Sequence, residues 1–389
     1  MLLRTCFWVS LALDLAACST SSTQGTDAGT SAPATDAGTT PPPLSDAATD
    51  AGPFDAGAPL PVGVTTRTFM DTSRSTPANG TAAAQPSRTL VTEIWYPTTD
   101  PNGLTSPVRD AALAPGGPYS LVLFVHGSSS GRLLSTYLTT ALASEGYVVA
   151  AADFPLTALS TPGGSSDLHV TDEVGDLSFL CDQLKSASSV ASDALHGAVD
   201  GSGYAVVGHS TGGAVAELAA FAGDDSQVTH DPRVRAVVPL SGDACMFDSG
   251  FFKSRAVPVF AIGGSNDLFV RFANSGAWVY ANTNAPHLLA DLIGGQHMGF
   301  TDLGLDDALL GPVPTGPTSP LAQTLSAYGD AGACLPVPPP GTDPMLTLDA
   351  QHALVIQLVS AFLDAELRGN GAALDALENA PPASVVLQH

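Results

Sequence analysis

The chain has 389 residues, 44% of them hydrophobic, enough for one large core or two smaller ones. Its formal net charge is −24 with only 13 Lys and Arg. That argues against nucleic acid as a partner, because neutralising phosphates needs basic patches.

The first residues read "MLLRTCFWVSLALDLAACSTSS". Arg4 opens a short basic region, an apolar run too short to span a bilayer follows, and small residues precede Cys18. "LAAC" is similar to a bacterial lipobox, in which the cysteine becomes the lipidated first residue of the mature protein. The pattern predicts a signal peptide over 1–17 and a lipid anchor on Cys18, outside the cytoplasm at a bacterial outer membrane or cell surface. An ordinary cleaved secretory signal is the other reading. Residues 18–60 repeat "DAG" at 27, 36, 50 and 55 amid Thr, Ser, Ala and Pro. Such a stretch buries little and reads as a disordered tether. The domain proper is expected over 61–389.

Within that domain, short apolar runs alternate with amphipathic stretches. Strands are expected over 88–97, 120–127, 146–154, 203–210, 234–242, 257–264 and 287–295, with coil over 98–119. Helices are expected over 133–145, 171–189 and 212–222, and in "QHALVIQLVSAFLDAELRG", which Arg368 and Gly369 close. The alternation predicts an α/β fold: a mostly parallel twisted sheet with helices on both faces. Residues 301–349, rich in Pro, Gly and Leu, read as an insertion, either a lid or a packed surface loop. If Cys6 leaves with the signal and Cys18 carries lipid, Cys181, Cys245 and Cys334 remain. Cys181 shares a helical face with Val174, Leu177 and Leu184 and is expected to be a buried free thiol, leaving Cys245 and Cys334 as the disulfide pair. There is no CxxC or HExxH pattern, and neither metal nor cofactor is expected.

G-x-S-x-G occurs twice, around Ser129 in "GSSSG" and around Ser210 in "GHSTG". With 39 Gly, about 0.3 accidental matches are expected, so context decides. A nucleophile elbow needs a strand, a one-residue strained turn and an immediate helix. "YAVVGHSTGGAVAELAAF" has that form, with Val215, Leu218, Ala219 and Ala222 striping a helix directly after Ser210. After Ser129, further loop residues intervene before the helix. An acyl-transfer nucleophile also needs an oxyanion donor from an earlier strand-to-helix loop. Residues 126–132 supply one for Ser210, whereas Ser129 has none upstream. Ser210 is therefore the candidate nucleophile, with the backbone N–H groups of Ser128 and Thr211 as oxyanion donors. Arg132 and Asp153 either pair near the site or are plain surface charges, the commoner case.

"HGSSSGR", "ASEGYVVAAADFP", "GHSTGG", "LSGDACMF" and "GGQHMGFTD" resemble the platelet-activating-factor acetylhydrolase and dienelactone-hydrolase-like branch of the α/β-hydrolases, related to cutinase-like polyester hydrolases. The resemblance spans about 88–300 and the closing helix. It implies a Ser-His-Asp esterase without cofactor; true dienelactone hydrolases carry cysteine where Ser210 stands. Chain order in such folds is nucleophile, acid, histidine. His126, His169, His196 and His209 precede or adjoin Ser210, and His230 precedes any acid loop. His287 begins a strand, His352 begins a helix and His389 is terminal. His297, in a loop after Gly294 and Gly295, is left as the base. Two acids stay open: Asp267, favoured by the resemblance of "GGSND" and "HMGFTD" to the bacterial branch, and Asp243, the position of the acetylhydrolases proper. The expected function is hydrolysis of short to medium acyl esters by a monomer, with Phe247, Phe251, Phe252, Leu268, Phe269, Met298 and Phe300, which follow the strand ends, suited to line a modest apolar cleft and some of them plain core. A polyester or lipid esterase, or a catalytically silent surface binding lipoprotein, is the alternative.

Overall fold

The computed structural model describes residues 58–223, 228, 230–284, 286–307, 320–325, 328, 334 and 342–389. The expected signal peptide, Cys18, most of the tether and much of the expected insertion lie outside the described residues. The strands are β1 (Val62–Asp71), β2 (Arg88–Pro97), β3 (Val108–Arg109), β4 (Ser120–Val125), β5 (Tyr147–Asp153), β6 (Tyr204–His209), β7 (Val234–Leu240), β8 (Val259–Gly264), β9 (His287–Leu292) and β10 (Val385–Gln388). They form one sheet in the order β10-β9-β8-β7-β6-β4-β5-β2-β1-β3. From β5 through β9 all neighbours are parallel. Antiparallel pairs flank this block: β2 on β5, β1 on β2, and β10 on β9.

The helices are α1 (Thr136–Ser144), α2 (Asp172–Ser189), α3 (Thr211–Phe221), α4 (Gly276–Asn282), α5 (Pro320–Leu325), α6 (Leu348–Arg368) and α7 (Ala372–Asn379). Side chains alternate across a strand, so the central strands feed two cores. Leu121, Leu123 and Val125 of β4 pack in the core that holds α2 and α3. Val122 and Phe124 pack in the other, with α1 and α6. Burial on both faces explains the near-continuous apolar runs of these strands. The end signals of α6 are used: Thr347 Oγ1 accepts from the Ala350 N–H at 3.2 Å. At the other end Gly369 takes φ 69°, and its N–H donates to Ala365 O at 3.1 Å. Only glycine adopts that conformation without strain.

Three strands were not expected from sequence. β1 is half-solvated: past its buried start, half-buried Thr65, Arg67 and Phe69 alternate with exposed Thr66, Thr68 and Met70, so it lacks the apolar run of a central strand. β3 has two residues, within the segment read as coil, and β10 has four. The expected coil also holds a 3₁₀ turn over Pro101–Leu104. The elements positioning the candidate site end where expected to within two or three residues.

The structure joins Cys245 to Cys334 and leaves Cys181 as a buried free thiol. Burial pushes the Cys181 thiol up to about 11, which keeps it protonated and unreactive. The disulfide closes a span of 89 residues. A crosslink over that length contributes about 4–5 kcal/mol in the chain-entropy model.

Candidate active site

Five neighbouring parallel strands, β4, β6, β7, β8 and β9, send their carboxyl ends to one rim of the sheet. Loops there are the usual position for chemistry in an open α/β sheet. Ser210 follows β6 directly and α3 begins at the next residue. Its backbone lies at φ 57° and ψ −123°, a region costly for any side chain. The turn closes tightly because of flanking glycines. A Cβ on Gly208 would lie 2.0 Å from Gly212 O, and one on Gly212 would lie 2.2 Å from Val125 O. Ser210 is partly exposed while Thr211 and the rest of α3 are buried. Ser129 also has a positive φ, 53°, but sits exposed in a loop, with α1 starting only at Thr136.

His297 follows β9 by five residues and is 5% exposed. Its Nδ1 lies 2.8 Å from Asp267 Oδ2, in the loop after β8. The other oxygen of Asp267 accepts the N–H groups of Phe269 at 2.8 Å and Val270 at 2.7 Å, which fixes the carboxylate's orientation. With Nδ1–H donated to the carboxylate, Nε2 keeps its lone pair free to take a proton. Burial opposes charging of His297, but Asp267, then Asp307 and Asp243, outweigh it and raise its basicity above the ordinary imidazole value. The His297 ring tilts against the ring of His209, the residue before Ser210, at a centroid separation of 4.6 Å. Burial holds His209 well below the usual imidazole range, hence neutral.

Of the two acids left open by the sequence, Asp267 is the one on the imidazole. Asp243 sits nearby in the loop after β7, and burial pushes its carboxyl up to about 7. It interacts electrostatically with Glu217 of α3, whose carboxyl burial also raises well beyond its ordinary value.

The loop after β4 is held from several sides. His126 Nδ1 is 2.8 Å from Gly127 O, and its Nε2 accepts from the Phe154 N–H at 3.3 Å. Ser129 N–H donates to Thr157 O at 3.0 Å, so that amide is committed. Ser128 Oγ donates to Asp167 Oδ1 at 2.6 Å and lies 2.7 Å from Thr211 Oγ1. A hydroxyl has one proton, so Thr211 is the donor in the second bond. The two expected oxyanion residues are thus tied together through their side chains. Thr211 is also the first residue of α3, where an N–H has no partner within the helix.

Arg132 and Asp153 do not behave as separate surface charges. The guanidinium pairs with Asp153, and Nε stands 3.7 Å from Glu93 Oε2. The aromatic residues read as cleft lining are also placed differently. Phe247, Phe252 and Phe300 are fully buried, and Phe247 stacks on Phe251 at 4.3 Å between centroids. They follow strand ends, but those turns fold back onto the core. Of that group, Leu268 and Met298 keep partial exposure. Exposed leucines of the rim loops, Leu133, Leu159, Leu168 and Leu303, were not singled out from sequence.

Two further residues escaped sequence reading. Buried Gln351 of α6 accepts the Gln296 N–H at 2.9 Å and donates to Gln296 O at 2.8 Å. Asp307 accepts the N–H groups of His297, Met298 and Leu268. Neither belongs to a motif, and no local signal marks them.

The family model described as "Alpha/beta hydrolase family" matches residues 122–382, and that of "Platelet-activating factor acetylhydrolase, isoform II" matches 88–155. Among solved structures the chain is similar to the ferulic acid esterase from Streptomyces cinnamoneus. The two are 23% identical over 85% of this chain and 97% of that one, with a TM-score of 0.56, a likeness of fold. No curated protein matches the chain.

Proposed function

We propose, for a chain that belongs to the alpha/beta hydrolase family, that it is a serine carboxylic-ester hydrolase working through Ser210, His297 and Asp267. The observation that carries the reading is the 2.8 Å contact between His297 Nδ1 and Asp267 Oδ2, on a rim shared with the strained turn at Ser210. His297 Nε2 takes the Ser210 hydroxyl proton as Oγ attacks the ester carbonyl. The N–H groups of Ser128 and Thr211 receive the oxyanion. The imidazolium, stabilised by Asp267, returns the proton to the leaving alcohol, and water then releases the acyl group by the same steps in reverse order.

The substrate is an uncharged ester with a short to medium acyl chain. Arg132 is already paired with Asp153, while Asp167, Asp243 and Asp307 stand near the catalytic groups. That surrounding field disfavours an anionic ester. The rim leucines suit an apolar acyl group, worth about 0.8 kcal/mol per buried CH₂. The kcat/KM on p-nitrophenyl esters is expected to peak between acetate and octanoate and to fall at palmitate. A maximum at palmitate with activation at a lipid interface would overturn that chain-length assignment. A fluorophosphonate probe should label Ser210 of the wild-type chain. An unlabelled, inactive chain would favour a silent binding module instead.

The enzyme acts outside the cytoplasm, held to a membrane through acyl chains on Cys18. The support is the "LAAC" motif alone. Cys18→Ser is expected to move the protein from the membrane fraction to the soluble one. Retention in the membrane, with no acyl group detected on the wild-type cysteine by mass spectrometry, would remove the anchor.

A further inference from the structure

Asp307 lies ten residues beyond His297 and is 2% exposed. Its Oδ2 accepts the N–H of His297 itself at 2.8 Å and that of Leu268 at 3.2 Å. Its Oδ1 accepts the N–H of Met298 at 2.9 Å. Leu268 adjoins Asp267. One side chain therefore grips the loop after β9, which carries the base, and the loop after β8, which carries its acid. A carboxylate that capped only its own loop would have no reason to reach Leu268. His297 is consequently held at both ends by carboxylates, its ring by Asp267 and its main chain by Asp307.

Resting on the hydrolase reading above, we infer that Asp307 is a positioning residue for this reaction: it sets the distance and angle between His297 and Asp267. Gln351 grips Gln296, the preceding residue, from the other side, so the main chain at 296–298 has little freedom left beyond what Asp307 controls. Misplacing a catalytic group by about 1 Å can cost on the order of 10²-fold in rate. Carboxylates also act on the imidazole through space. The charged or titratable groups facing His297 are Asp267, Asp307, Asp243 and the neutral His209. Removing one negative charge from that set makes the imidazolium less favourable, so His297 becomes a weaker base.

The test compares the full-length wild-type chain with Asp307→Asn and Asp307→Glu, counting active sites by fluorophosphonate titration so that misfolded protein is excluded. Asp307→Asn preserves shape but loses the charge and sets an NH₂ against backbone N–H donors. Expected is a fall in kcat per titrated site of about 10–100-fold with KM within about threefold. The acid limb of kcat/KM should also move to lower pH. Asp307→Glu keeps the charge and should leave the limb closer to that of the wild type. A purely structural role would lower Tm and the titratable fraction while leaving kcat per site and the limb unchanged, and that result overturns the inference. A wild-type chain inert to both probe and esters would overturn the hydrolase reading, and this inference with it. An active wild type with an unaffected Asp307→Asn overturns the inference alone.

Discussion

Ser210→Ala is expected to lower kcat on an activated ester by about 10⁴-fold or more, whereas Ser129→Ala should change it by less than about tenfold. The two serines share the G-x-S-x-G motif and both take a positive φ, so neither of those features separates them. Their surroundings do. Ser210 is the last residue before α3, its neighbour His209 packs its ring against that of His297, and the Ser210 N–H donates to Leu240 O at 2.9 Å, which anchors the turn to β7. On the proposed mechanism no acyl-enzyme forms without its hydroxyl, and the remaining groups can only orient water. Ser129 offers its amide to Thr157 O and its side chain to solvent. The proposed oxyanion donors are the backbone amides of Ser128 and Thr211, which survive Ser129→Ala. Steady-state rates on p-nitrophenyl butyrate, with protein judged folded by circular dichroism, decide the matter. Comparable losses from both substitutions would dismantle the assignment.

Asp267→Asn is expected to lower kcat/KM by a factor on the order of 10³ to 10⁴, and Asp243→Asn by about tenfold or less. In Asp267→Asn the remaining oxygen would stay on the Phe269 and Val270 amides, leaving an NH₂ toward His297 Nδ1. That nitrogen would then have to accept, which places the imidazole proton on Nε2 and prevents it from receiving the proton of Ser210. The pH profile offers a second readout. The base works only when neutral, and His297 titrates above the ordinary imidazole value because its carboxylate neighbours, Asp267 foremost, outweigh burial. The acid limb of the wild-type profile should therefore lie above about pH 6.5 and move downward in Asp267→Asn as that carboxylate is removed. Asp243, pushed up to about 7 by burial, carries only part of a charge at neutral pH, and the imidazole Nδ1 is already engaged elsewhere. The opposite ranking of the two variants would move the acid to the loop after β7.

The chemistry proposed for this rim depends on features of very different sequence range. The turn at Ser210 was legible because its requirements are local: an apolar strand, a small residue two positions either side, and an apolar stripe of helical period directly afterwards. The α6 cap at Gly369 and the parallel core strands were legible for the same reason, since backbone propensity and burial on both faces leave their mark within a few residues. The pairing of Cys245 with Cys334 followed from counting once Cys181 was assigned to a buried helical face. β1 and β10 were not legible: β1 is half-solvated and carries a mixed polar pattern shared with loops, and β10 has only four residues, too few to show a period.

Only the tertiary structure decided what depends on convergence. Asp243 and Asp267 both follow a strand end, and nothing within either loop says which carboxylate reaches His297; that depends on how β8 and β9 sit side by side. Arg132 and Asp153 become a pair because β5 lies beside β4 and brings its end to the loop after that strand. Phe247 and Phe252 turn inward because their segment folds back under α3, although sequence position alone placed them at the mouth. Asp307 is the extreme case. Its partners lie 9, 10 and 39 residues away, joined by hydrogen bonds to backbone N–H groups that every residue type but proline can offer. Such contacts leave no trace in the partners' identities, so candidate residues could be named from sequence while the geometry that joins them could not.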